Sequence, residues 1–242
     1  MQLLPKTFEY LRKDFPYSRG LSAALDYDAY WMERSRWGSE PAERMDEHKF
    51  QLIARLVESG STVLDIGCGT GNLLAYLQEV RGVKAHGMEI SERACEVARE
   101  KGIEVIQADV SQYDQPFPQV DYIVMSEVSE HLPNPEAVFC RVKGRFRKRL
   151  LVDVPNTGAL NERLRLLMGR FPRQWVFHPG EHLRFWTVTD FLFMCRQLGL
   201  EVENYYGLLD PYYHLGVKLW KLYPRLFARY VLYVIKPSTE IP

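Results

Sequence analysis

A cluster of glycines, three carboxylates and two histidines are the residues of this 242-residue chain whose types and spacing can do chemistry. The glycines lie in Val63-Leu64-Asp65-Ile66-Gly67-Cys68-Gly69-Thr70-Gly71-Asn72, where a short apolar run meets a helical pattern. Glycine there lets the backbone turn tightly and come close to a ligand. A loop that binds the pyrophosphate of a nicotinamide or flavin has the spacing G-x-G-x-x-G. Here it is G-x-G-x-G, and Asp65 stands two residues before the first glycine. A carboxylate at that point repels a pyrophosphate and suits a ligand carrying an amine or a sulfonium. Glu89, 20 residues after Gly69, ends a second apolar run, where an acid can accept hydrogen bonds from ribose hydroxyls. Asp109 follows a third run, placed to meet an adenine amine. Glu89 and Asp109, each taken alone, read equally well as solvated loop residues. Three of them at successive strand ends, beside a glycine loop, read as one ligand site.

The elements that must position these residues alternate. An amphipathic helix spans about 44–59 through Met45, Phe50, Ile53, Leu56 and Val57, and Gly60 stops it. Strands follow at Thr62 to Ile66, Val83 to Met88, Ile103 to Ile106, Val120 to Met125 and Leu150 to Val154. Between them, helices run from Asn72 to Gln78, from an N-cap at Ser91 to Ala98, and from near Pro135. Such alternation predicts a parallel sheet covered on both faces, with ligands outside the carboxyl ends of its strands. Beyond it come a short basic helix (Asn161 to Met168) and a capping box, Thr187-Val188-Thr189-Asp190, opening a helix that runs to Gly199. Strands at Leu200 to Tyr206 and Arg229 to Ile235 predict an antiparallel ending.

The run Asp65-Ile-Gly-Cys-Gly-Thr-Gly, with Glu89, Ala108-Asp109 and Glu130-His131-Leu132 after successive strands, resembles the class I S-adenosylmethionine-dependent methyltransferases. Gly71-Asn-Leu-Leu-Ala-Tyr-Leu77, Arg81-Gly-Val-Lys84 and Val154-Pro155-Asn156 are similar to the MetW-like, small-molecule group within that class. The resemblance covers about 45–235 and implies a Rossmann-like α/β fold. Its seven-stranded, mostly parallel sheet would have an antiparallel last strand and helices on both faces. An N-terminal arm or lid (1–43) would precede the methyltransferase domain (44–242), with cap insertions at about 158–186 and 207–228. It also implies S-adenosylmethionine as cofactor. Asp65, Gly67, Cys68, Gly69 and Gly71 would hold its methionine part and Glu89 its ribose. Ile90 and Val110 would sandwich the adenine, Asp109 would bond its amine, and Ser126 would line the site near the sulfonium.

Methyl transfer to a hydroxyl benefits from a base, and histidine is tuned for that near neutral pH. His131, just past the fourth strand, and His182, before Leu183-Arg184-Phe185-Trp186, are the two candidates; either could instead cap or pack a turn. His178-Pro179-Gly180-Glu181-His182 matches H-x-x-E-H on paper. That zinc motif needs a helix, which Pro-Gly breaks, so no metal is expected. Tyr27, Tyr30 and Trp31 form an aromatic cluster that could close over the sulfonium, with Tyr30 the cofactor contact, or simply pack on the sheet. The basic run Arg141, Lys143, Arg145, Arg147, Lys148 and Arg149 reads as the solvated face and end of the helix before the fifth strand.

Composition bounds the rest. Lys and Arg total 31, as do Asp and Glu, so a global grip on nucleic acid is not expected. With 46% hydrophobic and 26% charged residues, the chain can form a core. No apolar run approaches the ~20 residues that span a bilayer, and the first residues lack a signal-peptide h-region. Four widely spaced cysteines fit a cytoplasmic setting. The expected reaction is methyl transfer, at oxygen, to a small or lipid- or glycan-linked acceptor. The alternative is a non-catalytic MetW-like accessory subunit that binds the cofactor and a partner enzyme. Residues 207–228 mix Leu215, Leu219, Trp220 and Leu222 with Lys218, Lys221 and Arg225. They read as a cap wall or as a weak membrane-surface contact.

Overall fold

The computed structural model describes residues 26–36, 40–172, 181–208 and 219–237, with the backbone alone at 32–36, 40–46 and 220. In chain order the elements are α1 (Tyr27–Arg36), α2 (Glu40–Leu56), β1 (Thr62–Ile66), α3 (Asn72–Arg81), β2 (Lys84–Glu89), α4 (Glu92–Glu100), β3 (Glu104–Gln107) and β4 (Val120–Ser126). After a 3-10 turn (Ser129–His131) come α5 (Pro135–Val142), β5 (Phe146–Pro155), α6 (Leu160–Leu167), α7 (Val188–Gln197), β6 (Val202–Leu208), α8 (Leu219–Leu222), α9 (Pro224–Phe227) and β7 (Tyr230–Ile235).

Seven strands form one sheet in the order β3-β2-β1-β4-β5-β7-β6. The pairs among β1 to β5 are parallel, and β7 runs antiparallel to both β5 and β6. This is the Rossmann-like arrangement expected from the sequence. The order reverses between β1 and β4, which opens a crevice at their carboxyl ends. The central strands are apolar runs buried on both faces, as a covered parallel sheet requires. One core cluster, including Ile66, Met125, Phe139, Phe191 and Tyr233, packs on one side. A second, including Ile53, Leu74, Leu77 and Val124, packs on the other.

Local chemistry sets the boundaries. The Ser91 side chain caps α4 by accepting from Ala94 N, and Asn134 caps α5 through Ala137 N. The capping box of Thr187 and Asp190 opens α7 as the sequence predicts. Gly87 has a packing reason. A Cβ there would lie 2.6 Å from the Cys68 sulfur, so the glycine in β2 makes room for the neighbouring loop.

One expectation fails. The basic run does not extend a helix: α5 ends at Val142, and Arg147, Lys148 and Arg149 lie on β5, which begins at Phe146. They pair there with acids remote in sequence, Arg147 with Asp121, Lys148 with Glu58 and Arg149 with Glu203. Those pairings let a charged segment join the sheet. Helix α2 starts at Glu40, within the predicted arm. In the cap insertions, residues 173–180 (with His178, Pro179 and Gly180) and 209–218 (with Leu215 and Lys218) lie outside the described residues, as does the Trp220 side chain. Helices α8 and α9 pack on β6, with Leu222 and Tyr223 exposed.

Candidate active site

The glycine loop leaves the end of β1 and enters α3. Gly67 N and Cys68 N donate to Met88 O, at 2.7 and 3.1 Å, which ties the loop to the end of β2. Gly67 and Gly69 have φ of 73° and 52°, a region that favours glycine. Both are also closely covered. A Cβ at Gly67 would lie 2.3 Å from Val128 Cγ2, and one at Gly69 would lie 2.5 Å from the Trp31 ring. Trp31 of the arm therefore rests on the loop itself. Gly71, at φ 73°, occupies the N-cap of α3 with no side-chain cap.

Glu89 is buried and accepts three backbone N–H groups: Gly69 N at 2.8 Å, and Ile90 N and Ser91 N each at 3.0 Å. Burial raises its carboxyl above the usual range, against the pull of those bonds. Asp65 is 3% exposed, and its Oδ1 has no hydrogen-bond partner. Burial pushes its carboxyl up to about 8, with Lys49 opposing and Asp153 and Glu89 adding to the rise. A buried acid in that state matches a ligand that brings an ammonium group.

The arm supplies further contacts. Ser91 Oγ donates to Asp28 Oδ1 at 2.5 Å, which docks α1 on the start of α4. Tyr27, Tyr30 and Trp31 meet edge to face, with centroids 6.4 and 5.7 Å apart. Burial, then Glu89, Tyr30, Asp109 and Glu181, raise the Tyr27 hydroxyl to about 12. Tyr27 thus lies among the acids predicted to hold the ribose and adenine. Asp109 is already engaged by its own turn, accepting from Ser111 N, Ser111 Oγ and Gln112 Nε2. Ile90 is 40% exposed, whereas Val110 is buried in the core. Burial also holds the Cys68 thiol protonated, as suits a space-filling residue.

At the ends of β4 and β5 lies a group of charges that sequence reasoning missed, with Lys49 and Asp153 buried and Glu127 half-buried. Ser126, the last residue of β4, pairs in register with Asp153 of β5. Glu127 follows with φ 54°, a strained conformation for a residue with a Cβ. Its carboxylate accepts from Lys49 Nζ at 2.6 Å, and Asp153 lies 3.8 Å from the same nitrogen. Two signals were available. Lys49 stands four residues before Ile53, on the apolar face of α2, and Asp153 interrupts the apolar run of β5.

The histidines converge. Leu183 N and Arg184 N both donate to Glu130 O, at 2.7 and 3.1 Å, which fastens residues 181–184 to the turn after β4. His131 and His182 then pack edge to face, centroids 4.7 Å apart. His131 Nδ1 donates to Glu181 O at 2.5 Å, which leaves Nε2 with the ring's lone pair. Burial, then the neighbouring His131 ring, lowers His182 to about 3, so it stays neutral. Glu130 is 1% exposed, and its carboxyl is raised well above the usual range, first by burial and then by Glu127.

Comparison with known proteins agrees with this arrangement. The family model described as methionine biosynthesis protein MetW matches residues 47–235. A ubiquinone biosynthesis O-methyltransferase of Azoarcus sp. (strain BH72) is 30% identical over 172 residues, which is 62% of this chain and 68% of that one. Against several other curated relatives of that description, the chain spans between 36% and 86% of their length. The bifunctional methionine biosynthesis protein MetXA/MetW of Rhodopirellula baltica is 23% identical over 170 residues, 64% of this chain and 27% of that one. Among solved structures, a S-adenosylmethionine-dependent methyltransferase of Thermotoga maritima shares the fold, with a TM-score of 0.63 at 18% identity, over 88% of this chain and 98% of that one.

Sheet order, glycine loop and matches together define a class I S-adenosylmethionine-dependent methyltransferase. The buried, unbonded oxygen of Asp65 and the crowded glycine cradle fit S-adenosylmethionine as its methyl donor. Within that class, the chain belongs to the MetW family.

Proposed function

We propose that this protein transfers the methyl group to a hydroxyl oxygen of a small or lipid- or glycan-linked acceptor that sits against His131 and His182. The observation that carries this reading is the histidine pair, held next to the glycine loop through Val128, whose side chain covers Gly67. The donor, when bound, supplies a methyl group activated by a positively charged sulfur. Asp65 would bind its ammonium group and Glu89 its ribose hydroxyls. Gly67, Gly69 and Gly71 would let the backbone approach its methionine part, and Ser126 would face the reacting centre. Asp109, Ile90 and Val110 would border the adenine, Asp109 after release from its turn. Tyr30, with Tyr27 and Trp31, would exclude water. An in-line displacement gains most from holding nucleophile and methyl together. His131 would then accept the hydroxyl proton at Nε2, with the Glu181 carbonyl fixing that tautomer.

The names of the ubiquinone O-methyltransferase relatives support oxygen as the acceptor atom. Leu222 and Tyr223, exposed beside Lys221 and Arg225, keep a lipid-linked acceptor in view, and co-sedimentation with anionic vesicles tests that contact. The test of the reading itself is transfer of labelled methyl from S-adenosylmethionine by the purified protein alone to a panel of phenolic and aliphatic hydroxyl compounds. The fusion of MetXA and MetW in one relative favours a second reading, a cofactor-binding subunit of a partner enzyme. Binding of S-adenosylhomocysteine with no labelled product from any acceptor, until such a partner is added, would establish it instead.

A further inference from the structure

Glu130, His131 and His182 each offer one ligand atom, and these atoms all lie within 4.8 Å of one another. Glu130 and His131 come from the 3-10 turn after β4, and His182 comes from a segment 51 residues later that is bonded to the Glu130 carbonyl. Two features set the group apart from an ordinary polar cluster. Glu130 is 1% exposed, and neither carboxylate oxygen meets a hydrogen-bond partner elsewhere among the described residues. His182 is 7% exposed, and its Nδ1 likewise has none. Buried polar atoms normally have partners, because desolvation without one is costly. These two side chains are instead aimed at a shared point with their acceptor atoms free.

The geometry of His131 supplies the third element. A histidine that ligates a metal through one ring nitrogen commonly donates the other N–H to a carboxylate or a backbone carbonyl. His131 does this toward Glu181 O, with Nδ1 at 2.5 Å. Two imidazoles and one carboxylate form a donor set that suits zinc and neighbouring divalent transition metals better than magnesium or calcium.

We propose that Glu130, His131 and His182 bind one divalent transition-metal ion of the zinc type. This is not the H-x-x-E-H pattern of the sequence: Glu181 contributes its carbonyl to orient His131, and the carboxylate comes from Glu130. Three protein ligands leave a coordination position open, as in catalytic rather than structural sites. An acceptor hydroxyl is the natural fourth ligand; the ion, occupying His131 Nε2, would then take over that residue's part in deprotonation, lowering the pKa of the bound hydroxyl so that its proton leaves to solvent. That role rests on the methyl-transfer reading; metal uptake does not.

The experiment uses the full chain, stripped with a chelator. Zn2+ is added under calorimetry, and Co2+ is followed by its visible absorption. The inference requires about one equivalent of Zn2+ per chain, a Co2+ spectrum of imidazole ligation, and at least ~10-fold weaker Zn2+ binding in Glu130→Gln and His182→Asn. His86→Asn, at a half-buried histidine paired with Glu104 and remote from the cluster in sequence, should bind as wild type. If either site variant fails to fold by circular dichroism, the wild type decides. Zn2+ should then shift the imidazole NMR signals of two of its six histidines, assigned as His131 and His182. No uptake by wild type, unchanged affinity in both site variants, or shifts at other histidines would overturn it. A parallel titration with S-adenosylhomocysteine separates the two readings. Nucleoside binding without metal uptake sinks this inference alone, and metal uptake without nucleoside binding sinks the methyl-transfer reading alone.

Discussion

His131 and His182 stand edge to face with ring centroids 4.7 Å apart and planes at 88°, and only His131 has its tautomer fixed by a backbone carbonyl. The pair is therefore asymmetric. His131 presents a basic Nε2, while His182 is held neutral by burial with its Nδ1 unbonded. His131→Asn should lower kcat by about 10²–10⁴-fold and leave the affinity for S-adenosylhomocysteine nearly unchanged. Initial rates and calorimetry on the same preparation check this. Loss of nucleoside affinity in step with kcat would place His131 in the cofactor site instead.

Glu89 gathers three backbone N–H groups and is the residue expected to meet the ribose. Glu89→Ala should weaken S-adenosylmethionine binding by roughly 1.5–3 kcal/mol, the range for hydrogen bonds to a charged group. Because the same carboxylate orders the loop, Glu89→Gln serves as the finer probe. It keeps acceptor capacity on one oxygen and should lose less. Calorimetric Kd values for wild type and both variants give the ranking.

Asp65 links the site to stability. Its folded carboxyl titrates near 8, above its ordinary value of 3.8, so between those limits the folded state binds more protons than the unfolded one. Stability of the ligand-free protein should fall as pH rises through that window. Asp65→Asn should flatten the fall, raising Tm more at pH 8 than at pH 5, while abolishing measurable S-adenosylmethionine binding. Differential scanning calorimetry across pH 4–9 reads both slopes. Parallel slopes in the two proteins would show that Asp65 is not the titrating group.

Lys49 is the cation between Glu127 and Asp153. Removing one member of a buried ion pair costs about 3–5 kcal/mol, because the remaining charge stays buried. Lys49→Met should therefore destabilise the protein by that order in urea unfolding. Glu127, at φ 54° and left without its lysine, should then relax and disturb the turn that carries His131.

The parallel sheet and the acids at its strand ends were legible because both are local patterns: apolar runs, glycine spacing and a carboxylate at each run's end. What escaped depends on distant residues. Arg147 to Arg149 resemble an exposed helix end until Asp121, Glu58 and Glu203 are seen beside them. Lys49 looks like a cation that reaches out to solvent from an apolar face, until Glu127 and Asp153 are seen beside it. His131 and His182 were each found singly. Their contact follows from two backbone hydrogen bonds to Glu130 O, which no periodicity reports. Asp109 was located, yet its carboxylate is spent on Ser111 and Gln112, a detail of turn geometry.

The contact between Gly67 and Val128 limits how this protein can be re-engineered. A methyl group at position 67 would overlap Val128 Cγ2, so the donor loop and the Glu127–His131 turn are fitted to each other as one part. A turn transplanted from a relative to change acceptor preference would carry its own side chain at position 128. A larger one would push on the loop and alter donor affinity as well. On the proposed reading, acceptor range and donor binding would change together, and a library aimed at new acceptors should hold Val128 constant while it varies the residues around it.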